Sequence, residues 1–100
     1  MIKFLIWLSG ECSSLDEVIT AILSQNNEVG ILLVQDGVFM ADRGCTHSEE
    51  LTKFDVPVYA SKGHIEERGI AGRLVVDVKP VDYPEIVDLV MEKYDRVISI

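Results

Sequence analysis

The stretch that most constrains the fold is residues 29–34, VGILLV, a nearly unbroken apolar run. A strand with one wet face alternates apolar and polar side chains. A strand that is apolar throughout needs cover on both faces, which is how central parallel strands are built. Four other runs have strand character: residues 2–8, rich in large and branched apolar side chains, and residues 56–60, 74–78 and 96–100. Pro57 lacks an N–H, so it belongs at the start of its strand or on an edge.

Helical signals fill the gaps. Ser14-x-x-Glu17 has the form of a capping box, and Leu15, Val18, Ile19, Ile22 and Leu23 recur at helical spacing until Gln25-Asn26-Asn27 ends the helix. Residues 37–42 start a short helix, residues 49–53 form a weak helical turn, and residues 61–68 form a short helix stopped by Gly69. The last helix opens on Asp82, a capping residue, with Pro84 in the first turn and Glu85 at the positive end of the dipole. Its buried face is Ile86, Val87, Leu89, Val90 and Tyr94. Strands separated by helices imply a mostly parallel sheet with right-handed crossovers. The 100 residues contain no repeat or linker and fit one domain, 1–100.

Composition narrows the function classes. The chain carries nine basic and seventeen acidic residues, a net charge of -8, which argues against a nucleic-acid-binding surface and against anionic membranes. The N-terminal apolar run, Phe4 to Leu8, is too short for a signal peptide and is closed by Ser9-Gly10-Glu11. Nothing approaches the ~20 apolar residues of a membrane span. The chain is therefore expected in the cytoplasm, with Cys12 and Cys45 as thiols rather than a disulfide framework.

In parallel sheets, ligands and active groups collect at the carboxyl ends of the strands. Gln35-Asp36-Gly37, where the second strand leaves the sheet, and Trp7, near the end of the first, are the candidate binding residues. Asp-Gly is also an ordinary turn dipeptide, and a core or interface role is the commoner one for tryptophan. No G-x-G-x-x-G or P-loop is present, so no nucleotide cofactor is expected. Cys45, His47, Glu49 and Glu50 cluster locally but do not make a zinc ligand set, and no metal is expected. Cys45, with Arg43 and His47 nearby, and Cys12, just before the first helix, are the candidate catalytic thiols. His64 reads as a surface helix residue.

Three segments taken together resemble the DsrH/TusB-like family: ILLVQDGVFMA at 31–41, VPVYASKGHIEERGI at 56–70, and VDYPEIVDLVMEKYDRVISI at 81–100. The resemblance implies a small three-layer α/β sandwich of the DsrE/DsrF/DsrH kind. It implies a role in a sulfur relay, beside DsrE/TusD-like and DsrF/TusC-like subunits, serving 2-thiouridine formation at the tRNA wobble position or dissimilatory sulfur oxidation. The carrier cysteine of DsrE/TusD-like relatives falls at the end of the strand before the Arg-Gly helix, where this chain has Ala60 and Ser61. Three readings follow in order: an accessory subunit that associates with partners or itself, a persulfide carrier acting through Cys45 or Cys12, and a small-ligand-binding module.

Overall fold

The computed structural model describes residues 1–10, 14–75 and 77–100. Strands β1 (Lys3–Leu8), β2 (Glu28–Leu33), β3 (Val58–Ser61), β4 (Val78–Val81) and β5 (Arg96–Ser99) form one sheet in the order β4-β3-β2-β1-β5. Every pairing is parallel, as expected from the alternating pattern. The helices are α1 (Asp16–Ser24), α2 (Glu50–Lys53), α3 (Lys62–Glu67) and α4 (Tyr83–Asp88), with a 3-10 segment, Gln35–Ala41, after β2. A π-helical turn, Leu89–Lys93, continues α4.

Handedness decides which face each helix covers. The steps from β1 through β4 all move the same way across the sheet, so right-handed crossovers put their connections on one face. The return from β4 to β5 runs the other way, which sends α4 to the opposite face. Packing agrees. Leu15, Ile19 and Ile22 of α1, Leu51 of α2 and Ile65 of α3 join Ile6, Leu8, Ile31 and Leu33 in one core. Ile86, Leu89, Val90 and Tyr94 pack with Leu5, Trp7, Leu32 and Val34 in the other.

This explains the apolar run of β2. Val29, Ile31 and Leu33 face the α1 side, while Leu32 and Val34 face α4. Ile31, Leu32 and Leu33 are fully buried, and each such side chain stabilises the fold by about 1.5–3 kcal/mol relative to exposure. Gly30 breaks the run for a steric reason: a Cβ there would overlap the hydroxyl of Tyr94. Burial and a hydrogen bond with Tyr59 push the Tyr94 pKa up, so its hydroxyl keeps its proton.

Local details depart from expectation at three places. The capping box at Ser14 does not form; instead the Glu50 carboxylate accepts the Leu15 N–H (2.8 Å) and the Ser14 hydroxyl (3.1 Å). A carboxylate from α2 thus sits at the positive end of α1. Burial opposes its ionisation, but the Leu15 N–H, Ser14 and His47 outweigh that and hold the Glu50 pKa below 4.5. Secondly, the fourth strand is Val78–Val81 rather than residues 74–78. Leu74 and Val75 are captured earlier: the Val75 N–H donates to the Ala41 carbonyl (2.8 Å), and Leu74 bridges to Asp42. Thirdly, Val87 is 40% exposed rather than on the buried face of α4. Asp82 does cap α4 as expected, accepting the Glu85 N–H at 3.2 Å, and the Glu85 side chain completes a capping box; Pro57 does directly precede β3.

Asp42 fastens the same junction. It is buried, and accepts from Arg73 through both carboxylate oxygens and from the Gly44 N–H at 3.0 Å. The Arg73 hydrogen bond, with help from Gly44, lowers the Asp42 pKa below 3.8. A carboxyl lowered on folding contributes stability above its unfolded pKa and loses it as the pH drops through the folded value. Asp42→Asn is therefore expected to lower the urea midpoint at neutral pH. The gap from wild type should shrink as the pH falls below 3.8. A gap that is independent of pH would contradict this assignment.

Candidate functional site

A cleft of about 520 Å³ opens at the carboxyl ends of the strands, on the α4 side. Trp7 from β1, Val34 and Gln35 after β2, Ser61 at the end of β3, and Val81 at the end of β4 line it; Tyr83 and Ile86 of α4 close one side. A wider opening of about 660 Å³ lies near the strands' amino ends, with the Lys3–Glu28 ion pair (3.8 Å) among its lining residues. Parallel sheets place their ligands at carboxyl ends, so the smaller cleft is the candidate site.

Its geometry begins with the exit of β2. The Val34 N–H donates to the Leu8 carbonyl (3.0 Å), completing the pairing of β1 and β2. Gln35 then turns into the left-handed region, φ 50°, at a cost of order 1 kcal/mol for a residue with a Cβ. Its N–H donates to Nδ1 of His64 at 2.8 Å. The acceptor role assigns that nitrogen as unprotonated, so in the neutral ring Nε2 carries the hydrogen. Gly37 is buried against β1: a Cβ there would overlap the Leu8 carbonyl. Asp36 turns away to Arg68, with Nε at 3.1 Å and Nη2 at 3.0 Å, and Arg68 also donates to the His64 carbonyl at 3.5 Å. The Asp36–Arg68 pair therefore ties the exit of β2 to the end of α3.

The candidate binding residues thus separate. Trp7 and Gln35 line the cleft; Asp36 and Gly37 are not among its lining residues and hold its wall in place. Cys45 packs on the other side of the sheet, against the α1-side core, away from the cleft. It is not the free thiol expected from the sequence. Its Sγ accepts the His47 N–H (3.4 Å), and His47 Nδ1 meets Glu50 at 3.0 Å. Cys12 lies outside the described residues. Among those residues, no group of three or more His, Cys, Asp and Glu side chains could hold a metal, and no helix is long and apolar enough to cross a membrane.

Two cleft residues were not singled out from the sequence. His64 read as a surface helix residue, yet its ring lines the cleft and accepts the Gln35 N–H. Ser61 is 7% exposed and begins α3 without capping it. Among the described residues its hydroxyl has no hydrogen-bond partner, and it is not sealed from solvent. The available signal was positional: both stand within three residues of the end of a strand.

An all-parallel sheet with helices on both faces and a cleft at the strand ends defines an open α/β protein. The same architecture is seen in the crystal structure of the ychN protein from Escherichia coli, with a TM-score of 0.77 at 24% identity over the whole of both chains. It is seen again in MTH1491 from Methanobacterium thermoautotrophicum, described as a protein of unknown function, with a TM-score of 0.71 at 17% identity over the whole of both chains. At sequence level, the DsrH like protein family matches residues 10–96. Protein TusB of Escherichia coli O1:K1 is 37% identical over 71 residues, covering 71% of this chain and 73% of the relative. Protein TusB of Shigella flexneri is 35% identical over the same shares. The chain belongs to the DsrH-like family.

The Gln35–His64 hydrogen bond is testable alone. His64→Ala should speed amide exchange at Gln35 by roughly 2- to 12-fold, the factor matching the ~0.5–1.5 kcal/mol of one net hydrogen bond. Hydrogen-exchange NMR reads this directly. An unchanged Gln35 rate would mean that the imidazole does not hold the turn.

Proposed function

We propose that the chain is an accessory subunit of a sulfur relay complex in the cytoplasm. The complex serves tRNA wobble-uridine 2-thiolation or sulfur oxidation, and this chain docks partners rather than carrying the sulfur. Family membership supports the relay setting. The observation that carries the docking role is a set of exposed apolar residues along α4 and the π-helical turn that continues it: Tyr83, Val87 and Met91, at 76%, 40% and 74% exposure, spaced i, i+4, i+8. The edge strand β5 adds Val97, 42% exposed and, by its pairing with Leu5, on the same side of the sheet. Contiguous exposed apolar surface of this kind marks an interaction face. The absence of a thiol supports the same reading: β3 ends in Ala60-Ser61, where DsrE/TusD-like relatives are expected to hold the carrier cysteine.

The expected partners are DsrE/TusD-like and DsrF/TusC-like subunits, with self-association as the alternative. The acidic composition, net charge -8, points away from direct tRNA contact even where a tRNA is the final acceptor. A second reading, a persulfide carrier acting through Cys45 or Cys12, draws its support from the Cys45–His47–Glu50 contacts; it requires Cys45 to be reduced first.

Co-expression with the two partner types should give one complex on size-exclusion chromatography. Val87→Asp combined with Met91→Asp should weaken it by about 2 kcal/mol or more, roughly 30-fold, while the far-UV spectrum stays unchanged because both side chains are exposed. Full retention of the complex by the double variant would remove α4 as the docking face.

A further inference from the structure

We propose that the strand-end cleft binds a small, uncharged, planar molecule that is mostly apolar and presents a hydrogen-bond acceptor such as a carbonyl. The inference rests on the cleft and not on the sulfur relay reading. Its volume, about 520 Å³, lies within the ordinary range of small-molecule sites, ~300–1,000 Å³. Trp7, Val34, Val81, Tyr83 and Ile86 make aromatic and aliphatic walls, which suit a flat ring. Two hydrogen-bond donors remain at the strand ends. Ser61 has a hydroxyl without a partner among the described residues, and the residue is only 7% exposed. His64 has already committed Nδ1 to the Gln35 N–H, so Nε2–H is the group left for a ligand.

Charge selects against ions. No lysine or arginine is among the described residues that line the cleft, so an anion entering this acidic chain would lose hydration without meeting a counter-ion there. Among the described residues the carboxylate lining the cleft is Asp82, which is committed to the N-terminus of α4, where it accepts the Glu85 N–H at 3.2 Å; a cation would have to compete for it. A neutral acceptor can take a hydrogen bond from either donor and strips no charge.

The main rival occupant is an apolar side chain inserted by a partner protein. It would fill the walls but leave the Ser61 hydroxyl buried and unpaired, which costs the desolvation of that group. A ligand with an acceptor avoids that cost, so the small molecule is favoured.

The test uses 2-quinolone, a neutral bicyclic lactam, with quinoline-2-carboxylate as its charged counterpart. Trp7 is the only tryptophan in the chain, so its fluorescence reports on the cleft alone. Amide NMR shifts map the site independently. The expected result is saturable binding of 2-quinolone with a Kd of about 1 mM or tighter, with shifts centred on Gln35, Ser61, His64 and Val81. Ser61→Ala should weaken it about 5-fold, the loss of ~1 kcal/mol for one hydrogen bond. Thr20→Ala, on the exposed side of α1, should leave it unchanged. Three results would each overturn the proposal: no saturation tenfold above that concentration, equal or tighter binding of the carboxylate, or shifts centred away from the cleft. A partner subunit that shields the cleft amides while 2-quinolone leaves them unmoved would assign the cleft to the partner instead. Should Ser61→Ala not fold, the wild-type shift map and the comparison of the two probes still decide.

Discussion

The carboxyl end of this molecule depends on the pairing of β1 with β2. Six residues of each run in register, from Lys3 against Glu28 to Leu8 against Leu33. The Leu8 carbonyl closes the ladder by accepting the Val34 N–H. The chain must then leave the sheet across the end of β1, and Gly37 is the residue that passes close to the Leu8 carbonyl. This tight passage sets where Gln35 turns, and the turn aims the Gln35 N–H at His64. The cleft wall, the placement of α3 and the Asp36–Arg68 clamp all follow from that exit. A sheet edge would not impose the same constraint, because β1 and β2 are packed from both faces and cannot shift to relieve a clash.

Much of this fold was legible in the sequence because periodicity and burial agree. The unbroken apolar run of β2 demanded cover on both faces, and the structure provides it. Asp82 caps α4 as predicted, and Glu85 completes a capping box with it, because both partners are local. Ser14 and Glu17 have a capping-box spacing and did not form one: the helix starts one residue later, with Leu15 as its N-cap, the Ser14 hydroxyl accepts the Asp16 N–H, and the non-local carboxylate of Glu50 accepts the Leu15 N–H and the Ser14 hydroxyl. The fourth strand was displaced for a similar reason: the backbone groups of residues 74–75 are taken by the 3-10 segment, a contact without a local signature.

The site was legible in its location more than in its members. Strand-end logic found Trp7 and Gln35. It grouped Asp36 and Gly37 with them, although those two act on the chain's path rather than on the cleft. His64 read as a surface helix residue, and Ser61 only as the residue standing where relatives hold a cysteine, because each looks ordinary at a strand-to-helix junction. Only the three-dimensional meeting of β2's exit with α3 gives His64 its acceptor role. On α4, helical periodicity found Ile86, Leu89, Val90 and Tyr94 but also placed Val87 on the buried face; one helix over five strands leaves Val87 and Met91 outside the core.

Within the relay reading, the central claim is that this chain assembles and shapes a complex while another subunit holds the sulfur. The most direct measurement is intact-protein mass spectrometry on the reduced, folded chain after incubation with a persulfide donor, for wild type, Cys12→Ser and Cys45→Ser. The account predicts no reducible gain of a sulfur atom in any of the three. A gain in wild type that disappears in one variant only would contradict it and identify that cysteine as a carrier.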